Sequence, residues 1–163
     1  MQTMVLGVDL GGPVLKRPPG SSPKDYASAE TTPEAFESLR LLHVGLRLPV
    51  RLLSQCDEHI ERIKRMWLIR AKFYPQTGLK PDCLTFCRRP EEKAILCQKF
   101  RVTDAIDDNP EVLDFMVGVV PRVYAFAPDP EQLKRFPRVE KQARIVHGWK
   151  ELVPLLQARI HTA

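Results

Sequence analysis

The chain has 163 residues, 44% of them hydrophobic and 28% charged, with a formal net charge of +5 at neutral pH. That is the composition of an ordinary globular domain, and the length allows one such domain, residues 1–163, with a core of its own. The positive balance suits an anionic partner such as a phosphate ester, but the basic residues are spread along the chain without a nucleic-acid-binding signature, so nucleic acid as a partner is unsupported.

In chain order, Met4–Val8 is a short apolar run that predicts a buried central strand ending at Asp9. It is too short for a membrane span and has no basic segment before it, so neither a signal peptide nor a membrane anchor is expected there. Asp9-Leu10-Gly11-Gly12-Pro13 opens a loop, and residues 16–32, rich in Pro, Gly and Ser, read as an extended connection over the end of that strand. Thr32-Pro33-Glu34 predicts an N-cap and a helix to about Val44. Residues 48–53 predict a second strand, followed by Ser54. Asp57 to about Lys72 predicts a helix with Ile60, Ile63, Trp67 and Arg70 at helical spacing, and with Arg62, Lys64 and Arg65 on its solvated face.

After the loop Pro75–Pro81, residues 83–87 read as a third strand, and Pro90 opens a helix to about Phe100 with acids in its first turn. Val102–Ile106 is a fourth strand leading to Asp107-Asp108, and Asn109-Pro110 caps a helix to about Val117. A fifth strand is expected over 119–126, a short helix or turn over 128–136, an edge strand over 143–146, and a terminal helix over 149–160 that Pro154 limits or kinks. Strand–helix alternation predicts an α/β three-layer sandwich with a mainly parallel sheet, whose ligands bind at the carboxyl ends of the strands.

The cysteines Cys56, Cys83, Cys87 and Cys97 form no CxxC pair, and His43, His59, His147 and His161 show no ligand spacing, which argues against a zinc site. Buried free thiols, and hence a reducing cytoplasm, are expected. Trp149 reads as an anchor for the terminal helix.

The acidic pair carries the most chemistry. Adjacent carboxylates resist joint ionisation unless a cation lies near them, and a hard cation such as Mg²⁺ is the usual solution. The predicted topology brings one carboxylate (Asp9), one hydroxyl (Ser54), one ammonium (Lys93) and the pair Asp107-Asp108 to the same sheet edge, each from a different connection.

This ordered set, Val8-Asp9-Leu10-Gly11-Gly12-Pro13-Val14, Leu52-Leu53-Ser54, Lys93 and Ile106-Asp107-Asp108, resembles the four motifs of the haloacid dehalogenase-like hydrolases over residues 4–126. The resemblance implies a Rossmann-type fold and a Mg²⁺-dependent hydrolase of phosphorylated substrates. It implies Asp9 as nucleophile, Ser54 and Lys93 as ligands of the phosphoryl group, and Asp9, the Gly11 carbonyl, Asp107 and Asp108 around the metal, with Asp108 the direct ligand.

One departure stands out. The family's second acid, two residues after the nucleophile, is Gly11 here. That acid protonates the leaving oxygen and then activates water, a contribution of about 10²–10⁴-fold. Another residue, such as one from the 16–32 loop, could supply the proton. The substrate could carry a leaving group that needs none. Alternatively, the protein is a catalytically degenerate binding or regulatory member. No connection is long enough for a large cap domain, so an open site is expected. Val5–Gly12 also resembles the first phosphate loop of actin-like sugar kinases, but 163 residues cannot house the two halves of that fold.

Overall fold

The computed structural model describes residues 3–22 and 24–162. Pro23 of the 16–32 loop and the side chain of His161 lie outside the described residues. Strand β1 (Leu6–Val8) leads through the Asp9 loop into a small antiparallel pair, β2 (Leu15–Lys16) with β3 (Glu30–Thr31). Helix α1 (Ala35–Arg40) loosens into a π turn at Leu41–Gly45 before β4 (Val50–Gln55), α2 (Glu58–Arg70) and α3 (Phe73–Thr77). Then follow β5 (Leu84–Cys87), α4 (Glu92–Lys99), β6 (Asp104–Asp107) and α5 (Pro110–Met116). The chain closes with β7 (Arg122–Phe126), α6 (Pro130–Leu133), α7 (Pro137–Gln142), β8 (Arg144–Val146) and α8 (Trp149–Thr162).

The expected alternation produces one six-stranded parallel sheet in the order β5-β4-β1-β6-β7-β8. From central β1 the chain winds outward through β4 and β5, then crosses to β6 and winds the other way. The order therefore reverses at β1, and the crevice at its carboxyl end is the place where such sheets bind ligands. Side chains alternate across the sheet with period two. Leu6, Val8, Leu52, Ile106, Tyr124 and Phe126 pack beneath α1, α2, α3 and α8. Leu53, Ala105, Val123 and Ala125 pack on the opposite face, against α4, α5 and α7. These two cores make the three layers. Among the described residues no inserted domain lies between β1 and β4 or between β4 and β5, in line with the expectation of no large cap.

Several boundaries differ from the sequence expectation for identifiable reasons. Thr32 is not the N-cap of α1. Its hydroxyl donates to the Gly12 carbonyl at 2.5 Å, and Glu34, with φ at +64°, stands before the helix instead. The second strand runs two residues further than expected, so Ser54 lies on β4, paired in register with Phe86, and not after it. Residues 73–77 form a helical turn, α3, where a loop was expected from 75. Phe73 explains this: it inserts fully buried beside Phe36, with ring centroids 5.2 Å apart. The fifth strand begins only at Arg122, and α7 was not anticipated. Asn109, an expected cap, accepts from the Glu111 amide at 3.0 Å, and Asp57, expected as the first residue of its helix, caps it instead by accepting from the Ile60 amide at 2.9 Å, each contributing about 1 kcal/mol.

Helix α8 continues through Pro154 and is pinned at both ends. Trp149 Nε1 donates to the Pro13 carbonyl at 2.7 Å, and Arg159 reaches buried Asp104 at 2.8 Å. Trp149 is thus an anchor, as expected, and what it anchors is the loop that follows Asp9. The four cysteines are free and buried. Burial pushes the Cys83 and Cys87 thiols up to about 11 and the Cys97 thiol to about 12, so these are packing residues and not activated nucleophiles.

Candidate active site

Asp9 follows β1, and its amide donates to the Ile106 carbonyl of the neighbouring strand at 2.9 Å, which fixes its backbone at the crevice. Lys93, one turn into the connection after β5, is 2% exposed. Its ammonium donates to Asp9 Oδ1 at 2.7 Å and to Asp107 Oδ2 at 2.5 Å. Burial alone would push this lysine down, but the two carboxylates outweigh it and hold the ammonium protonated well above the usual lysine range. The other oxygen of Asp107 accepts from the Asn109 amide at 3.0 Å. Both Asp107 oxygens are therefore engaged, and Asp107 holds Lys93 in place.

One carboxylate oxygen from each of Asp9, Asp107 and Asp108 lies within 4.8 Å of the others. Burial first, and then the charge of Asp9, raise the Asp107 carboxyl from 3.8 to about 6. Asp108 is raised well above the usual range by burial, Asp9 and Asp107. Three hard oxygen donors with this degree of mutual repulsion form a donor set suited to Mg²⁺, and one ammonium does not relieve it fully.

Ser54 is fully buried at the end of β4, and its hydroxyl accepts from Lys64 Nζ at 2.9 Å. This corrects the placement of Lys64 on the solvated face of its helix. Lys64 is 3% exposed, whereas Arg62 and Arg65 do face solvent. The physical reason is position: Lys64 lies four residues after Ile60 and three before Trp67, both buried, so it stands in the apolar stripe. Its ammonium sits 4.4 Å from the centre of the Tyr26 ring. The sequence signal was available in that spacing, but a lysine on a basic helix invites the solvated reading.

The loop after Asp9 is closed by the Val14 and Leu15 amides on the Leu10 carbonyl and by the Gly12 amide on the Leu15 carbonyl. Gly12 has φ at +95°, and a Cβ there would lie 2.5 Å from an Asp108 oxygen, so only glycine fits. At Gly11 the space is taken from another side. A Cβ built there would lie 2.7 Å from the Tyr26 hydroxyl. Tyr26 belongs to the 16–32 segment, which Trp67 Nε1 ties down through the Ala29 carbonyl at 2.7 Å. Burial, then the charges of Asp9 and Asp108, push the Tyr26 phenol up to about 12. Tyr26, Arg17, Lys64, Gln55, Asp108 and Asn109 line a cleft of about 660 Å³ above the acids. The structure thus joins Asp9, Lys93 and Asp107 by hydrogen bonds with Asp108 beside them, and sets Ser54 against Lys64, whose ammonium lies under the Tyr26 ring next to Gly11.

Comparison with solved structures places this architecture. A D,D-heptose 1.7-bisphosphate phosphatase from B. bronchiseptica, complexed with magnesium and phosphate, superimposes with a TM-score of 0.69 over 97% of this chain and 99% of that one, at 11% identity. The fold is that of the haloacid dehalogenase-like hydrolases. A candidate hydrolase of that type from Burkholderia xenovorans matches this fold over the full length of both chains, with a TM-score of 0.68 and 15% identity. A haloacid dehalogenase-family hydrolase from Deinococcus radiodurans, with bound phosphate and sodium, gives 0.67 over 97% of each chain at 13% identity. In sequence, a candidate nucleotidase from Bacillus cereus is 26% identical over 132 residues, 81% of this chain. The chain spans 64% of the length of that relative. No family model matches the chain.

Within the haloacid dehalogenase-like fold, Asp9, Ser54, Lys93 and the Asp107-Asp108 pair occupy the crevice at the carboxyl ends of β1, β4 and β6, the switch point of the sheet. Among the described residues no helix is long and apolar enough to cross a membrane.

Proposed function

We propose that this protein is a Mg²⁺-dependent hydrolase of phosphate esters that works through an aspartyl-phosphate on Asp9. The observation that carries the reading is the buried ammonium of Lys93 held between Asp9 and Asp107, with Asp108 alongside. A carboxylate nucleophile must approach an anionic phosphoryl group, and an ammonium fixed 2.7 Å away offsets that repulsion without solvent in between. Ser54 and Lys64 present a hydroxyl and a second ammonium to the phosphoryl oxygens from the β4 side. Mg²⁺, when bound by Asp9, Asp108 and the Gly11 backbone carbonyl with Asp107 beside them, supplies the charge that lets these acids ionise together. Among the described residues the turn bonds of this loop fall on the Leu10 and Leu15 carbonyls and not on that of Gly11. The B. bronchiseptica phosphatase and the Bacillus candidate nucleotidase support a phosphate ester as substrate class. The free buried thiols support a reducing compartment, the cytoplasm, as its setting.

The test is hydrolysis of an aryl phosphate with Mg²⁺ and with a chelator. Turnover that requires Mg²⁺ is expected, and turnover indifferent to the metal would overturn the reading. The same metal is expected to stabilise the fold in a pH-dependent way. Asp107 and Asp108 are raised in the folded chain, so their ionisation opposes folding as pH climbs above the unfolded value of 3.8 and past about 6. At pH 8 Mg²⁺ removes that penalty, whereas at pH 5 it must displace protons. The rise in melting temperature on adding Mg²⁺ should therefore be larger at pH 8 than at pH 5, as read by scanning calorimetry.

Lys64 supplies a further prediction. Lys64→Met keeps the length of the side chain and loses the charge. It is expected to weaken inhibition by inorganic phosphate about tenfold or more, the scale of a hydrogen bond to a charged group. An unchanged inhibition constant would reduce Lys64 to a support for Ser54.

A further inference from the structure

We propose that Tyr26 performs the proton transfer that the resemblance assigns to an acid at position 11, an inference that rests on the phosphatase reading above. The side chain missing at Gly11 leaves no empty volume behind. A Cβ there would meet the Tyr26 hydroxyl at 2.7 Å, the ring carbon bearing it at 3.4 Å and its neighbour at 3.5 Å. The hydroxyl oxygen alone conflicts with a side chain at 11, and the ring is in ordinary contact. Gly11 and Tyr26 are thus complementary: one gives up a side chain, and the other extends a polar atom into its space from a different segment of the chain.

The ring is held there by independent contacts. Lys64 lies 4.4 Å from its centre and Arg17 5.6 Å. The segment around it is tied to α2 through Trp67 on the Ala29 carbonyl and Arg70 on the Ala27 carbonyl. Tyr26 also lines the cleft that opens over Asp108, with its hydroxyl against position 11 at the foot of the Asp9 loop. A phenol is both donor and acceptor and is an accepted general acid or base.

The steps balance. As an Asp9 oxygen bonds to phosphorus and the ester P–O bond breaks, the leaving oxygen takes the Tyr26 proton and departs as an alcohol or phenol. A water then attacks phosphorus and gives its proton to the Tyr26 phenolate. The Asp9–P bond breaks, and phosphate, free Asp9 and neutral Tyr26 are restored.

The experiment compares two esters on the full chain with Mg²⁺: 2,4-dinitrophenyl phosphate, whose leaving group needs no proton, and phenyl phosphate, whose leaving group does. Tyr26→Phe keeps the ring and its contacts. It is expected to lower kcat/KM on phenyl phosphate about 10²-fold and on the dinitrophenyl ester by less than about threefold. The double variant G11D/Y26F, in which the acid at 11 meets only the ring, is expected to recover at least about tenfold of the loss on phenyl phosphate. A Tyr26→Phe loss of the same factor on both esters, or a gain on either, would overturn the proposal. If instead the wild-type protein turns over neither ester in an Asp9-dependent manner, the phosphatase reading itself falls, and this inference with it. The Asp9→Asn control separates the two failures.

Discussion

Asp9→Asn is expected to abolish hydrolysis of aryl phosphates, with a fall in kcat on the order of 10⁴-fold or more, the scale seen when a covalent nucleophile is removed. The change is nearly isosteric, so the Ile106–Asp9 backbone bond that places residue 9 at the crevice stays intact. What disappears is the charged oxygen 2.7 Å from Lys93. An amide accepts a weaker hydrogen bond from the ammonium and cannot form an acyl phosphate. The check is a rate measurement alongside a fluoroberyllate soak: density joining the beryllium to Asp9 in the wild-type protein, and none in the variant. A wild-type rate in Asp9→Asn would remove Asp9 from the chemistry and assign the turnover to another group.

Lys93→Met is expected to have the largest effect on folding. The ammonium is 2% exposed and bridges two carboxylates that are themselves 8% and 1% exposed. Removing it leaves Asp9, Asp107 and Asp108 facing one another without a cation. Breaking a buried ion pair from one side typically costs about 3–5 kcal/mol. For a domain of this size each kcal/mol lowers the melting temperature by about 2–4 °C. Two further measurements distinguish charge from packing. Mg²⁺ should recover part of the loss, because it replaces the missing positive charge. The double variant Lys93→Met/Asp107→Asn should be more stable than the two single changes predict when added, because the second change removes the orphaned acid that the first exposes. A stability loss that is additive and insensitive to Mg²⁺ would mean that Lys93 acts through its methylenes and not its charge.

The fold was legible in the chain because its cues are local and repeat. Apolar runs alternate with helices, Asn109-Pro110 caps its helix where expected, and the helix expected from Asp57 starts right after it. The order of Asp9, Ser54, Lys93 and Asp107-Asp108 along that alternation was enough to bring them to one sheet edge, because a parallel sheet returns every strand's carboxyl end to the same side. Boundaries were less legible where a side chain chose a partner distant in the chain. Thr32 has the sequence of an N-cap, but the Gly12 carbonyl claims its hydroxyl. Ser54 reads as a residue after a strand, but β5 beside it extends the ladder through Gln55.

By itself, then, the sequence determined the alternation, the crevice and the five charged or hydroxylic groups in it, because these depend on spacing and chain order. Tertiary structure alone decided two things. Lys64 is buried against Ser54 and not on the surface, since burial of a lysine depends on what packs over it, here Tyr26 and the end of β4. The glycine at position 11 likewise changed meaning. In the chain it stands as a missing acid. In the fold its space is filled by a hydroxyl from fifteen residues further on, and only the packing of the 16–32 segment against Trp67 could put it there.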